Sequence, residues 1–485
     1  MTRIGRDRLL LGSVVATALA LRVWAAAVRP AWHDEYFTAW VAGLSWRDLL
    51  AALRADSGPP LLYALTKVLA LTGLDPLVAA RAIAVLAGTL AVTLAGRAAR
   101  TAFGTWAGIA CAALLAVHPL ALAWSSEGRA YALLLLAAAW GWERLEAIAD
   151  GQGGHLALAA AVALGCWSHA FGLVLAAALA AAALTLAAAA RRGALVAVGA
   201  GLISNLPWLP IAVHQPASAT AWMIPAWQAM PALDKLLAPV RLLPPLAPFG
   251  HQLDLPSAPP VAQLAAAALC AGLLLAGPLH RLPVMLWLIP AFGLSGLALL
   301  GVPAFYPGRG EALFLAPFLA LLASGAARWR WAAVGVALLV ASALAVDLLA
   351  LRSWAAAPES GAARIARIVE DRLPAGGTVV ISGYWRLGIS HCLGRKLPRY
   401  VLINVPREAA LHPGWYDDAT DLVVPSEVAG VAERLAAGNR RVAIVVSPGL
   451  RSTAVLEALA EGLGLGVALD VPGARLFAPP AGGVP

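Results

Sequence analysis

LLLGSVVATALALRVWAAAVRPAWHDEYFTAW, residues 9–40, sets an apolar run of membrane-spanning length directly against a cluster of ionisable and aromatic side chains. A spanning helix needs about 20 mostly apolar residues, which Leu9 to Val28 supplies. TRIGRDR precedes it, and basic residues collect at cytoplasmic helix ends, so the span runs outward and leaves Asp34 and Glu35 on the non-cytoplasmic face. The alanines at 25–27 also resemble a signal-peptidase site, and cleavage there leaves Asp34 outside as well.

The rest of the chain has the same character. Of its 485 residues 61% are hydrophobic and only 13% charged, with a mean hydropathy of +0.78, whereas soluble domains carry about a quarter charged residues. This is the composition of a polytopic membrane protein. The net charge of +9 comes from arginines clustered at the ends of apolar runs, which reads as topology rather than as a nucleic-acid surface. Cys111, Cys166 and Cys270 lie in apolar stretches and Cys392 stands alone in the tail, so neither a zinc site nor a disulfide framework is indicated.

Apolar length and basic flanks together predict about 11 spans. After Leu9–Val28 they are Val78–Gly96, Trp106–Trp124, Ala130–Ile148, Leu156–Ser168, Phe171–Ala190, Ala194–Val213, Val261–Leu279, Leu282–Val302, Ala312–Ala327 and Trp331–Leu351. The segment PPLLYALTKVLALTGL from Pro59 is short, opens on two prolines and contains Lys67. Arg97 and Arg100 require the next span to run inward, so this segment begins and ends outside, as an interfacial helix in a first outer loop of residues 29–77. With that parity the clusters at Arg97/Arg100, Arg191/Arg192, His280/Arg281 and Arg328/Arg330 all fall inside. A second outer loop covers residues 214–260, rich in Pro and Trp (WMIPAW, LLPPLAPFG). The helical module thus occupies residues 1–352. From 353 to 485 short β runs (TVVIS after Gly377, DLVV at 421, RVAIVV at 441) alternate with helical stretches (AARIARIVEDRL, SEVAGVAERLAAG), predicting a small α/β domain on the outer face.

Two motifs carry candidate chemistry. In WHDEYFTAW, residues 32–40, adjacent carboxylates beside the membrane, flanked by His33 and Tyr36, can supply a general base and an orienting group. The plainer alternative is that both acids charge the first turn of an interfacial helix. In WSSEGRAYAL, residues 124–133, Glu127 and Arg129 return to the same face, where ionisable groups are costly unless paired. A local pair or a helix start is the alternative there. Lys67, His169 in CWSHAFG, and Arg309 with Glu311 in FYPGRGEALFLAP fall on that face too; singly, Lys67 snorkels and His169 is structural. Together they form a basic rim suited to a phosphate on a lipid carrier.

DEYFT after the first span, GPPLLYAL, SSEGRAYALLLL, the Ser168–His169 pair, NLPWLP at 205–210 and GRGEALFLAPFLALLASG, in this order over roughly residues 9–350, resemble the GT-C superfamily. The similarity points to the branch of protein O-mannosyltransferases and lipid A aminoarabinose transferases. That resemblance implies transfer of a sugar from a polyprenyl-phosphate-linked donor to a lipid, protein or cell-envelope glycan acceptor. It places the reaction at the periplasmic face of a bacterial inner membrane, with inversion.

By the same resemblance Asp34 deprotonates or orients the acceptor, Glu35 supports it, and Glu127 helps position acceptor or donor. Arg129, Lys67 and Arg309 become candidates for the donor phosphate, and His33, Tyr63, Tyr131 and His169 for substrate contact. Relatives commonly have an aromatic after the late arginine and a Gln before the second-loop acid; here Gly310 and Ser126 stand there. No cofactor is required, and the carboxylates are too dispersed to demand a divalent metal. A transporter or flippase is the alternative activity, opposed by acids at helix mouths rather than near the midplane.

Overall fold

In a computed structural model, residues 3–221, 228–229, 259–300, 308–405, 435, 441–450 and 452–480 are described. The WMIPAW and LLPPLAPFG stretches, the DLVV run and nearly all of SEVAGVAERLAAG lie outside them. The chain divides into two compact units, Met1–Arg29 with Ser57–Ala356, and Pro30–Asp56 with Ala357–Pro485.

The first unit is helical: α1 (Arg3–Val28), α4 (Leu61–Ala70), α5 (Pro76–Phe103), α6 (Thr105–Ala116), α7 (Pro119–Ser126), α8 (Tyr131–Ala149), α9 (His155–Ser168), α10 (Gly172–Leu184), α11 (Ala188–Ile203), α12 (Pro260–Ala276), α13 (Arg281–Leu299), α14 (Leu315–Ser324) and α15 (Arg330–Ala356). Their interior is packed with Ala and Leu around Trp124, Trp142, Phe314 and Phe318. Their outer faces are apolar as well, with Leu86, Val196, Leu275 and Leu338 exposed, so these helices suit lipid rather than water. The protein is a multi-pass membrane protein.

Helices lie along the expected spans among the described residues, but their bounds and lengths differ from those expected. Among the described residues four helices are long and apolar enough to cross a membrane: Gly5–Val28, Pro76–Phe103, Ala188–Ala212 and the helix that begins at Arg330. A fifth crossing results if the bent pair α6 and α7 is one span. Helices α9, α10, α12, α13 and α14 are apolar but shorter in their apolar extent, and α13 contains Pro290. Helix α4 has 10 residues, about 15 Å, half of what a single crossing needs. The expected run Phe171–Ala190 is also divided, because α10 ends at Leu184 and Arg191 and Arg192 lie within α11.

The interruption of Trp106–Trp124 has a local cause. Pro119 lacks an N–H and pushes the preceding His118 into extended backbone (φ −73°, ψ 124°), so α6 stops and α7 restarts at 58°. The freed carbonyls of Leu115 and Ala116 accept from the Arg22 guanidinium of α1 at 3.2 and 2.9 Å. Gly88 of α5 lets this arrangement close, since a Cβ there would lie 1.9 Å from Ser125 Oγ and 3.1 Å from Arg22 Nε.

Helix α8 separates two polar ends. At its C-terminal end Glu143 pairs with Arg97 of α5 at 3.0 Å, and His280, between α12 and α13, lies 3.7 Å from Glu146. At its N-terminal end stand Glu127, Arg129 and Tyr131. Basic clusters distant in sequence thus share one end, the arrangement parity required.

The second unit contains α2 (His33–Gly43), α3 (Trp46–Arg54), α16 (Gly361–Arg372), α17 (Trp385–Leu393) and α18 (Thr453–Gly462), with strands β1 (Thr378–Ser382), β2 (Val401–Val405), β3 (Val442–Val446), β4 (Gly466–Val471) and β5 (Ala474–Ala478). The sheet order is β2-β1-β3-β5-β4. β1 runs parallel to β2 and β3, while β5 is antiparallel to β3 and β4. Helices α16 and α17 cover one face through Ile365, Val369 and Ile389, and α18 covers the other through Leu456 and Ala460.

If α5 crosses the membrane and α8 returns, cysteines at Thr72, Arg100 and Asp150 in a Cys392→Ser background will sort by side. An impermeant maleimide is expected to label the Thr72 site from outside and the other two only after permeabilisation. Labelling of the Thr72 and Arg100 sites from the same side contradicts a spanning α5.

Candidate functional site

Helix α7 ends at Ser126, and Glu127 follows in extended backbone (φ −114°, ψ 147°), buried at 3% exposure. Its carboxylate faces Arg29, just beyond α1, at 3.4 Å. The Arg29 guanidinium also donates to Ala123 O (2.8 Å) and Ser126 Oγ (3.2 Å) and lies 5.1 Å from the Trp354 ring. Arg81 of α5 holds the turn from behind, donating to the carbonyls of Ala26 (2.7 Å) and Arg29 (2.9 Å). A buried carboxylate and guanidinium are tolerable only when paired and hydrogen-bonded in this way.

Two residues on, Arg129 opens the way to Tyr131, the first residue of α8. Around that ring the structure gathers His169, 5.5 Å away between ring centroids, and Arg309, 5.9 Å from its centroid. His169 ends α9 with extended backbone, and its Nδ1 accepts the Phe171 N–H at 3.1 Å. In the neutral ring the proton therefore sits on Nε2, leaving a donor. Burial, then the charges of Arg129 and Arg309, push the His169 pKa down to about 3, so the ring is neutral at physiological pH. Two cations and a neutral N–H donor at one spot lower the energy of an incoming anion.

Arg309 is aimed by a lock around Gly308. Gly308 has φ +85°, which suits glycine alone. Its N–H donates to Glu311 Oε1 at 2.9 Å, and its carbonyl accepts from Trp124 Nε1 at 2.7 Å. Glu311 lies in a short 3-10 turn, Gly310–Leu313, and burial pushes its pKa up to about 7 against the backbone hydrogen bonds that favour its charge.

Tyr63 and Lys67 stand on α4, which packs on α5; Tyr63 is buried and Lys67 half-buried. His33, Asp34 and Glu35 belong to the second unit. They form the first turn of α2, where carboxylates complement the helix dipole. Glu35 is fully buried, and Asp34 is half-buried, its carbonyl accepting from Thr38 Oγ1 at 3.0 Å. α2 is held by the tail: Tyr36 OH and Ser360 Oγ are 2.7 Å apart, His33 Nδ1 lies 3.1 Å from Tyr384 O, and Tyr36 packs on Gly388, where a Cβ would come within 3.0 Å of its ring.

The structure thus brings Tyr131, His169, Arg129 and Arg309 together, with Glu127 two residues before Arg129. Sequence reading missed Arg29, Arg81 and Trp124; the signal was an arginine at each end of the apolar runs flanking the first loop. Among the described residues no three His, Cys, Asp or Glu side chains are grouped to hold a metal ion.

No family model and no curated protein matches the sequence. Solved structures do resemble it. ArnT from Cupriavidus metallidurans bound to undecaprenyl phosphate is 15% identical, with a TM-score of 0.58 over 98% of this chain and 98% of that one. The Archaeoglobus fulgidus oligosaccharyltransferase tethered with an acceptor peptide is 14% identical (TM-score 0.54, 93% of this chain and 70% of that one). AglB from the same organism, in complex with an inhibitory peptide and a dolichol-phosphate, is 13% identical (TM-score 0.52, 98% and 75%). These are GT-C superfamily proteins, and the fold of this chain is the GT-C fold.

The buried Glu311 makes a pH test. Its folded pKa of about 7 lies above the ordinary 4.5, so the native state holds the extra proton. Its contribution to stability is fully present below about 4.5 and is lost as pH rises through about 7. Glu311→Gln is expected to flatten that part of the thermal midpoint against pH; an unchanged slope contradicts the assignment.

Proposed function

We infer that this protein is a membrane glycosyltransferase. It moves a sugar from a polyprenyl-phosphate-linked donor to a lipid, protein or cell-envelope glycan acceptor at the outer face of a bacterial inner membrane. The observation that carries the reading is the group formed by Arg129, Arg309 and the Nε2–H of His169 around Tyr131, in a fold shared over nearly its whole length with a structure bound to undecaprenyl phosphate.

The chemistry is a direct displacement. Asp34, half-buried at the dipole-positive end of α2, takes the proton from an acceptor hydroxyl or amine. The nucleophile attacks the anomeric carbon from the face opposite the phosphate, which inverts that centre. The bond to the phosphate oxygen breaks, and Arg309, Arg129 and His169 stabilise the departing charge. Glu35 supports the base. Glu127, its charge balanced by Arg29, fixes the α7–α8 turn from which Arg129 projects. Lys67, Tyr63 and His33 take part in substrate contact, and the tail unit keeps α2 in place through Tyr36 and His33.

The test is transfer by the purified chain reconstituted with polyprenyl-phosphate sugars, its natural product first identified by mass spectrometry of glycolipids and glycoproteins from a deletion strain. Asp34→Asn is expected to lower transfer by roughly 10²–10⁴-fold with the fold intact. A fully active Asp34→Asn protein sinks the base assignment, and a deletion strain with unaltered glycoconjugates sinks the activity.

A further inference from the structure

The tail unit contains a polar cluster that sugar transfer does not use. In sheets with parallel strands, ligands bind beyond the carboxyl ends of those strands. Here β1 ends at Ser382 and turns through Gly383 (φ +67°) and Tyr384 into α17, while β2 beside it ends with Asn404 and Val405. Asn404 is buried, with 6% exposure, beneath the first turn of α17. The Arg386 guanidinium, in that turn, donates to Asn404 Oδ1.

This contact fixes the amide. A guanidinium carries only donors, so the oxygen of Asn404 faces it and Nδ2 is the group left over. That nitrogen is buried and has no hydrogen-bond partner among the described residues. Buried donors in native proteins are paired, and one held in place by a cation calls for an acceptor.

Among the described residues the cluster presents donors, and no acid is paired with Arg386. Helix α17 has nine residues, no acidic residue in its first turn and no side-chain cap on its N-terminus. Arg386 is half-buried, and burial alone lowers its pKa, with no acid offsetting it among the described residues. The helix dipole adds positive potential at the same end. Arg386 also lies about 200° around the helix from Gly388, the position that packs on Tyr36, so the cluster is on the flank away from the acidic segment.

We propose that Arg386, Asn404 Nδ2 and the N-terminus of α17 form a binding site for a phosphate-type oxyanion, carried either on a lipid headgroup or on a soluble molecule. Inorganic phosphate is the probe, titrated against the full chain in phosphatidylcholine nanodiscs at constant ionic strength, with the thermal midpoint as readout. A saturable rise is expected. Asn404→Asp, which turns the orphan donor into an acceptor, and Arg386→Gln, which removes the fork, are each expected to weaken the apparent Kd by roughly tenfold or more. Arg395→Gln, the loss of an exposed charge just beyond α17, is expected to leave it unchanged.

Because the Arg129/Arg309 cluster is itself proposed to hold phosphate, Arg309→Gln is measured in parallel. A response lost in Arg309→Gln and kept in both tail variants overturns the proposal, as does a wild-type chain with no saturable response. If Asn404→Asp fails to fold, Arg386→Gln decides. Nanodiscs containing phosphatidylglycerol identify the source: a headgroup that occupies the site suppresses the response to free phosphate, and a site for soluble phosphate keeps it.

Discussion

A helix broken inside an apolar phase must find donors for the carbonyls it frees, and Arg22, in the C-terminal half of α1, supplies them. Each unsatisfied backbone group in lipid costs several kcal/mol, so the break at His118–Pro119 exists only because Arg22 reaches Leu115 O and Ala116 O. One turn beyond, Arg29 satisfies Ala123 O and balances Glu127. Asp347 of α15 is buried within reach of the Arg22 charge, and Trp354 of the same helix meets Arg29. The bend therefore draws α1, α5, α7 and α15 into one polar column. The turn that carries Arg129 and the start of α8 inherit their position from it.

The second constraint is the tail. Asp34 and Glu35 stand on a helix of 11 residues, too short to be rigid alone, and its fixed points are the Ser360 hydroxyl and the Tyr384 carbonyl, more than 300 positions away. Tyr36 is clasped by Ser360, Gly388 and His391. A tail that only decorated the outer surface would not need a glycine opposite that ring. The α/β unit is better understood as the support of the acidic segment, and it carries a polar cluster of its own on another flank.

What was legible in the sequence is what local pattern encodes. Apolar length marked the helices, basic clusters marked their ends, and the meeting of Arg97, Glu143 and His280 at one end of α8 agrees with them. The acidic pair at the start of α2 and the runs that became α16, β1 and β3 were also readable. The rest depends on distant contacts. Pro119 was visible, yet its cost in a membrane depends on whether an arginine 94 residues away can reach the carbonyls. The bond from Trp124 to Gly308 spans 184 residues, and nothing in either motif announces it. Strands β2, β4 and β5 are as long as β1 and β3 or longer, but VLINV, GVALDV and ARLFA lack the clean alternation that marks a half-buried strand. Only the partner strands make them a sheet.

The central claim is that the cations and His169 around Tyr131 hold the phosphate of a polyprenyl carrier. Thermal stabilisation of the reconstituted chain by undecaprenyl phosphate, compared with undecaprenol of the same length, isolates that phosphate from its hydrocarbon. The phosphate form is expected to stabilise the wild-type chain clearly more, and Arg309→Gln to erase most of the difference. Equal stabilisation by the two lipids, or an Arg309→Gln chain indistinguishable from wild type, contradicts it.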